Sequence, residues 1–211
     1  NELQTIEKSL GEQFSELDRI TYINQEKVLN ALQKVRLAAT DFNWATGYGY
    51  GDVGREKVEA VYADIFRTED ALVRPNMVSG THAIALVLRA LTSYGSTILS
   101  VTGTPYDTLH KVLGTSGNEP GNLKERGVEY KELPLKDSMI DFDGIEGAIT
   151  DDVDLVNMQR STGYSDRRAF TVSEIERTVK EIRKTYKGII FLDNCYGEFT
   201  ETLEPSQVGV D

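Results

Sequence analysis

The chain has 211 residues, of which 39% are hydrophobic and 27% are charged. This balance is typical of a folded domain with a sizeable core and excludes a disordered chain. The formal net charge of −11 argues against nucleic-acid binding, because non-specific binding needs a basic surface. Apolar runs are too short for a membrane span, and no leader is recognisable. With Cys195 as the single cysteine, no internal disulfide can form, and we expect a cytoplasmic protein.

Both ends of the sequence look cut. The chain begins without methionine and stops in the stretch 207–211, which completes no element. We therefore expect a fragment of a longer protein, whose fold is incomplete at Asp211.

The first 35 residues predict two amphipathic helices, because apolar residues recur at steps of three and four. The first set is Leu3, Ile6, Leu10, Phe14 and Leu17, and the second is Val28, Leu29, Leu32 and Val35. These helices could pack on a partner subunit or on their own domain. We expect residues 1–54 to form an N-terminal helical segment with a glycine- and tyrosine-rich loop, and residues 55–211 to form the large domain.

The loop over residues 43–55 places four glycines among Trp44, Tyr48 and Tyr50. Such a composition suits neither a helix nor a packed strand. The two tyrosine hydroxyls and the guanidinium of Arg55 could bind phosphate or carboxylate. A surface loop with no binding role is an equally good interpretation.

From residue 55 onward, helical and strand patterns alternate, as in a parallel sheet covered on both faces. We therefore predict an α/β fold, a three-layer sandwich with a mostly parallel sheet. The predicted helices are 55–66, 81–88, 109–113, 142–149 and 174–186, and the predicted strands are 71–74, 97–101, 128–133, 155–159 and 189–193.

The segment Ser79-Gly80-Thr81 lies at a predicted helix start, where unpaired N–H groups and the helix dipole favour an anion. An ordinary Ser/Thr cap would look similar. The segment is neither a Walker loop nor a dinucleotide fingerprint. His82 could join the anion or be a polar residue of the first turn, and we favour the second.

Further polar residues follow strands at Tyr106, Gln159, Arg160, Asp193 and Tyr196. In open α/β sheets, ligands bind outside the carboxyl ends of strands, so one crevice could contain these groups. Asp193 alone could equally cap a turn.

An anion site, an aromatic ring and a carboxylate in one crevice fit pyridoxal 5'-phosphate. The phosphate would lie at the helix N-terminus, the ring would stack on an aromatic side chain, and the carboxylate would pair with the pyridine nitrogen.

Four segments follow a known order along the chain: Ser79-Gly80-Thr81-His82, Gly103-Thr104-Pro105-Tyr106-Asp107, Gln159-Arg160-Ser161 and Asp193-Asn194-Cys195-Tyr196-Gly197-Glu198-Phe199. At these segments the sequence resembles the fold-type I pyridoxal-phosphate enzymes, and more narrowly the methionine gamma-lyase-like proteins also named aluminium resistance proteins.

The resemblance implies a role for each matching residue. Gly80 and Thr81, with Ser79, would bind the phosphate, Tyr106 would stack on the ring, and Asp193 would pair with its nitrogen. Either Tyr196 or Gln159 would bond the phenolic oxygen. Tyr48 or Tyr50, together with Arg55, would reach the phosphate of a neighbouring subunit, which implies a homodimer or homotetramer with a shared active site.

The resemblance also implies β- or γ-elimination on a sulfur amino acid, with the Schiff-base lysine expected beyond Asp211. Lys180, Lys184 and Lys187 are expected on the surface, and Cys195 is expected to be a packing residue. Three alternatives remain: another fold-type I enzyme such as an aminotransferase or aldolase, a non-catalytic protein that binds a phosphorylated ligand, and a structural oligomerisation domain.

Overall fold

The computed structural model describes residues 2–45, 47–48, 50–117 and 119–211. Thr46 and Gly49 of the predicted loop lie outside these ranges. The chain divides into two compact units, the first formed by Asn1–Arg74 with Phe199–Glu204, and the second by Pro75–Glu198 with Pro205–Asp211.

The first unit is helical. It contains α1 (Glu2–Ser9), α2 (Gly11–Lys34), a short 3-10 helix (Ala39–Phe42) and α3 (Val53–Phe66). Its core forms where Ala31 of α2 meets Val61 and Ile65 of α3. Two helices were predicted here and two are found, but the break lies at Leu10 rather than between the two apolar sets, so Phe14 and Leu17 belong to α2. The stripe from Leu3 to Leu17 is exposed in this unit.

The units divide at a different place from the predicted domains. The prediction placed the boundary after residue 54, whereas α3 groups with the helices before it. The reason is the apolar face of α3, since Val61 and Ile65 are buried against α2.

The second unit contains a sheet of four parallel strands in the order β2-β1-β3-β4. Its strands are β1 (Thr97–Ser100), β2 (Glu129–Glu132), β3 (Val153–Gln159) and β4 (Ile189–Asp193), and its α-helices are α4 (Gly80–Leu91), α5 (Asp107–Leu113), α6 (Ile145–Ala148) and α7 (Val172–Ile182). A second 3-10 helix covers Pro205–Val208.

The sheet is covered on both faces, which confirms the predicted three-layer α/β architecture. On one face Leu155 packs with Leu88 of α4 and Leu109 of α5. On the other face Val156 and Met158 pack with residues of α6 and α7. Successive residues of β3 therefore enter opposite cores, as the two-residue period of a strand requires.

The predicted strand at 71–74 is wrong, since this segment is irregular. Its polar groups bond to α3 instead of a sheet. The backbone N–H of Val73 donates to Glu59 Oε1 at 2.9 Å, and Arg74 forms an ion pair with the same carboxylate. The Glu59 side chain thus accepts the hydrogen bond that a carbonyl of a neighbouring strand would have accepted in a sheet.

Helix α7 begins earlier than predicted because Thr171 and Glu174 form a capping box. The Thr171 hydroxyl accepts from the Glu174 N–H, and the Glu174 carboxylate accepts from the Thr171 N–H at 2.9 Å. This reciprocal pairing satisfies two backbone donors at the start of the helix.

Glu174 also predicts a pH dependence of stability. Hydrogen bonds from Arg168, at 2.6 and 2.8 Å, lower its pKa from 4.5 to about 2. A carboxyl group with a lowered folded-state pKa stabilises the fold fully above its unfolded pKa and loses that contribution as the pH falls through the folded value. We expect the unfolding free energy to fall between pH 4.5 and about 2, and to fall less steeply in Glu174→Gln. Urea denaturation across this range measures the difference, and equal pH slopes in the two proteins would contradict it.

Within the described ranges, no helix has the length and apolar character needed to cross a membrane.

Candidate functional site

The candidate site lies in the second unit, where β3 and β4 end side by side. Gln159 and Asp193 are register partners at the last position of these strands. Because side chains alternate along a strand, Asp193 lies on the same face as Phe191. Phe191 packs in the cluster formed with α4 and α5. Asp193 therefore faces the layer that contains the predicted anion site.

The predicted anion site is the N-terminus of α4. Ser79 is the N-cap residue, and its hydroxyl accepts from the His82 N–H at 3.1 Å. The His82 ring is held near its own helix start, since Nδ1 accepts from the Val78 N–H at 3.3 Å. A Cβ atom built on Gly80 would meet no atom within 4 Å. The first turn of α4 is thus approachable at Gly80, as an anion would require.

Tyr106 links the start of α4 to the end of β3. Its backbone N–H donates to Gln159 Oε1 at 3.0 Å, and its hydroxyl lies 3.0 Å from Thr81 Oγ1. Thr108 Oγ1 lies 2.9 Å from the same Thr81 oxygen. The backbone of Tyr106 is therefore bonded to the strand end and its hydroxyl to the first turn of α4, which fixes the residue between the two.

Gln159 is buried, with 5% of its surface exposed. Its Oε1 accepts from Tyr106, and its Nε2 donates to the carbonyl of Ser161 at 3.2 Å. Both ends of the amide thus contact the protein's own backbone. This geometry gives Gln159 a positioning role toward Tyr106.

Gly163 lies close to Tyr106 and Gln159, so a substitution there tests how tightly these residues pack. A Cβ atom there would lie 3.1 Å from Tyr106 Cβ and 3.2 Å from Gln159 Nε2, at a φ of +58°. We expect Gly163→Ala to destabilise the protein by about 1–2 kcal/mol, the cost of a left-handed residue with a Cβ, and to lower the melting temperature.

The matched control is Gly147→Ala in α6, where a Cβ atom meets nothing within 4 Å. There alanine should be neutral or stabilising, because it is the better helix former. Equal melting temperatures for the two variants would contradict the close packing at Gly163.

Asp193 is half-buried, and its Oδ1 accepts from the Cys195 N–H at 3.0 Å. Burial raises the pKa of its carboxyl group. Since burial disfavours the charged form, a cationic ligand beside Asp193 would restore its ionisation. A half-buried carboxylate at the end of a strand is therefore suited to bind a cation. The alternative interpretation, that Asp193 caps a turn, accounts for Oδ1 and not for Oδ2.

Tyr196 is displayed just after this strand. It is 86% exposed and has a φ of +67°, the left-handed region that residues with a Cβ rarely adopt. Such conformations persist only where surrounding contacts enforce them, and they are common at ligand sites. Two residues were predicted to bond the phenolic oxygen of the cofactor. Of these, Tyr196 is exposed and Gln159 is buried.

Tyr48, Tyr50 and Arg55 belong to the first unit. The two tyrosines are 83% and 89% exposed. Arg55 lies in the first turn of α3, where its N–H donates to Asp52 Oδ1 at 3.2 Å and its Nε lies 3.4 Å from Asp52 Oδ2. The two tyrosines are thus largely exposed, and the guanidinium is oriented by a carboxylate of the same turn.

Two arginines near the strand end are buried. Arg160, which the sequence placed among the polar groups of the crevice without a role of its own, is 3% exposed, and Arg167, which the sequence analysis did not single out, is 8% exposed. Arg167 donates to the carbonyls of Gln159 and Ser161 and lies 4.2 Å from the ring of Phe170. Arg160 follows a buried strand directly, and this position in the sequence could have indicated a buried arginine whose guanidinium is bonded to several acceptors.

The remaining reactive side chains are peripheral to this cluster. Lys180 and Lys184 form ion pairs with Glu176 and Glu181 along α7 and are exposed, and Lys187 is exposed as well. Cys195 is an exposed residue rather than a packed one; partial desolvation of its thiol, followed by the nearby carboxylates of Asp193 and Glu198, raises the thiol pKa. The described residues contain no cluster of His, Cys, Asp and Glu that could hold a metal ion.

Comparison with known proteins gives consistent matches. The family model for methionine gamma-lyase matches residues 1–211. The uncharacterized protein YnbB of Bacillus subtilis is 42% identical over 98% of this chain and 50% of its own length. A Clostridium novyi structure named a carbon-sulfur lyase involved in aluminum resistance is 44% identical, with a TM-score of 0.93 over 99% of this chain and 50% of that chain.

A methionine gamma lyase from Micromonospora echinospora has the same fold, with 20% identity and a TM-score of 0.53 over 75% of this chain and 37% of that one. The chain spans about half the length of YnbB and of the Clostridium protein.

Proposed function

Since the chain belongs to the methionine gamma-lyase family, we propose that it is part of a pyridoxal-phosphate-dependent carbon-sulfur lyase that acts on a sulfur amino acid. One observation carries this proposal: the half-buried carboxylate of Asp193 lies on the face of the sheet that Tyr106 packs against, and Tyr106 is fixed there by the bond from its backbone N–H to Gln159 and by the contact of its hydroxyl with Thr81. The name of the Clostridium novyi relative supports the same class of reaction.

The start of α4 fits the phosphate of the cofactor. The N–H groups of the first helical turn have no partner within the helix, and the dipole adds positive potential there. Gly80 leaves room for close approach. We assign phosphate binding to Gly80 and Thr81, with Ser79 holding the turn through its bond to His82.

The planar ring would lie against Tyr106. Because the Tyr106 backbone and hydroxyl are both bonded, its ring offers a fixed surface with little conformational entropy to lose on binding. The Asp193 carboxylate would accept a hydrogen bond from the protonated pyridine nitrogen, and the Tyr196 hydroxyl would donate a hydrogen bond to the phenolic oxygen.

When bound, pyridoxal phosphate supplies an electron sink for the substrate's α-carbon. The contribution of Asp193 is to keep a proton on the ring nitrogen, because its carboxylate is stabilised by that positive charge in a partly desolvated site. The contribution of Tyr106 and the α4 N-terminus is orientation, which is a large part of catalysis when several groups must align.

Two elements of the proposal lie outside one copy of the second unit. We assign Tyr48 or Tyr50, with Arg55, to the cofactor phosphate of a second copy, in a cytoplasmic homodimer or homotetramer. Lys180 and Lys184 form surface ion pairs, and Lys187 is exposed, so we place the Schiff-base lysine in the part of the longer protein that follows Asp211.

The test is an elimination assay on the whole protein. Purified protein with pyridoxal phosphate is given L-methionine, L-cystathionine or L-cysteine, and thiol, 2-oxo acid and ammonia are measured. The proposal expects equal amounts of the three products from at least one substrate, and none when the cofactor is removed. Cofactor binding with transamination products and no thiol would favour an aminotransferase, and the absence of cofactor binding would favour a non-catalytic protein.

A further inference from the structure

The side chain of Arg160 joins three segments at the end of the sheet. Its Nε donates to the carbonyl of Phe170 at 2.9 Å, and its Nη1 donates to Asn194 Oδ1 at 3.0 Å and to the carbonyl of Gly197 at 2.8 Å. The residue is 3% exposed. A guanidinium stays charged when buried, so a position of this kind persists only where its donors are well satisfied.

Arg160 also contacts the end of β4 through its backbone. Its N–H donates to the carbonyl of Asp193 at 3.0 Å, and its carbonyl accepts from the Phe170 N–H at 3.1 Å. The main chain of Arg160 therefore fixes where β4 ends, while its side chain fixes the turn that follows.

That turn determines where the Asp193 carboxylate points. Oδ1 is bonded to the Cys195 N–H at 3.0 Å, and the Gly197 N–H donates to the carbonyl of Asn194 at 2.7 Å. These bonds hold one carboxylate oxygen against the turn and leave Oδ2 for a ligand. The orientation of Oδ2 thus depends on the conformation of residues 194–197.

Gly197 shows how closely the guanidinium fits this turn. A Cβ atom at this position would lie 2.6 Å from Arg160 Nη1 and 2.4 Å from Asn194 Oδ1. Both distances are shorter than any real Cβ contact, so a side chain there would displace the Arg160 bonds. Glycine is therefore needed for the arginine to reach the turn.

From these contacts we infer that Arg160 is a positioning residue, which orients the Asp193 carboxylate toward the cofactor's ring nitrogen by holding the turn 194–197. Lysine could not replace it, because a single ammonium group lacks the rigid fork that reaches three acceptors in different segments. This inference rests on the proposed function and assigns a residue that acts through Asp193 without touching the cofactor.

The test compares two cofactor forms in the whole apo-protein. The probes are pyridoxal phosphate and its 1-deaza analogue, in which a C–H group replaces the ring nitrogen, and binding is followed by fluorescence. Arg160→Met should weaken binding of pyridoxal phosphate by roughly 10- to 100-fold, as expected when a hydrogen bond between charged groups is lost. Binding of the analogue should stay within about twofold of the wild type, because the analogue has no ring nitrogen to pair.

Two more variants keep the test independent of folding defects. Gly197→Ala leaves the arginine in place but displaces its bonds, and it should show the same selective loss. Arg183→Met is the matched control, since Arg183 bonds the carbonyl of Gly188 at 2.6 Å, before the start of β4, and its loss should leave both affinities unchanged.

The outcomes separate this inference from the proposed function. A wild-type protein that binds pyridoxal phosphate more tightly than the analogue, with Arg160→Met and Gly197→Ala weakening both ligands equally or neither, would overturn the role of Arg160 while the proposed function stands. A wild-type protein that binds neither ligand would overturn both.

Discussion

Replacement of Asp193 by asparagine is expected to reduce kcat/KM for elimination by on the order of 10²- to 10³-fold, the usual effect of removing one preorganised electrostatic group from an active site. Asparagine has nearly the same shape but carries no charge, so it cannot hold a proton on the ring nitrogen. Burial raises the pKa of the Asp193 carboxyl, so the cation of the bound cofactor would favour its charged form. Steady-state assays of thiol release measure the effect.

The control for this prediction is Asp151→Asn, in an exposed turn just before β3 and at the opposite end of the sheet. It makes the same chemical change and should leave kcat/KM within about twofold, as for a surface substitution far from the site. A similar activity in Asp193→Asn and Asp151→Asn would contradict the role assigned to Asp193.

Replacement of Phe170 by alanine is expected to cost about 3–5 kcal/mol of unfolding free energy, as for other buried phenylalanines. Phe170 is 1% exposed and packs in the core on the α7 face of the sheet. Its ring also lies 4.2 Å from the Arg167 guanidinium, and its carbonyl accepts from Arg160. The cavity left by the alanine substitution would therefore form next to both buried arginines, Arg160 and Arg167. Urea denaturation measures the loss.

Phe42→Ala is the matched control, because that phenylalanine is 77% exposed in the first unit. We expect a change within about 0.5 kcal/mol there, as for most surface substitutions. Phe170→Leu should cost less than Phe170→Ala, since it keeps most of the apolar volume. A loss below about 1 kcal/mol in Phe170→Ala would show that the core collapses around the gap.

The sequence predicted the parallel sheet and most of its covering helices because their patterns are strong and local. Residues 189–192 of β4 form a continuous apolar run, which is typical of parallel strands covered on both faces. The start of α4 was predicted for a similar reason, since Ser79 is followed by a strongly apolar helix. Signals that depend on neighbouring residues in the chain can be found without a structure.

Features that depend on contacts between residues distant in sequence could not be predicted from the sequence. Residues 71–74 have strand-like composition, but Glu59 takes the N–H of Val73. Arg160 bonds to residues up to 37 positions away, and no local pattern encodes these partners. Tyr106 was predicted as an aromatic surface, whereas its bonds to Gln159 and Thr81 became visible only in the fold.

The most direct test of the proposed function is the visible absorption spectrum of the whole purified protein, before and after borohydride, followed by peptide mass mapping. We predict a yellow protein whose band borohydride bleaches, with the reduced cofactor attached to a lysine other than Lys180, Lys184 and Lys187, and a weaker band in Asp193→Asn at limiting cofactor. A protein that stays colourless with added pyridoxal phosphate, and gives no labelled lysine, would contradict the proposal.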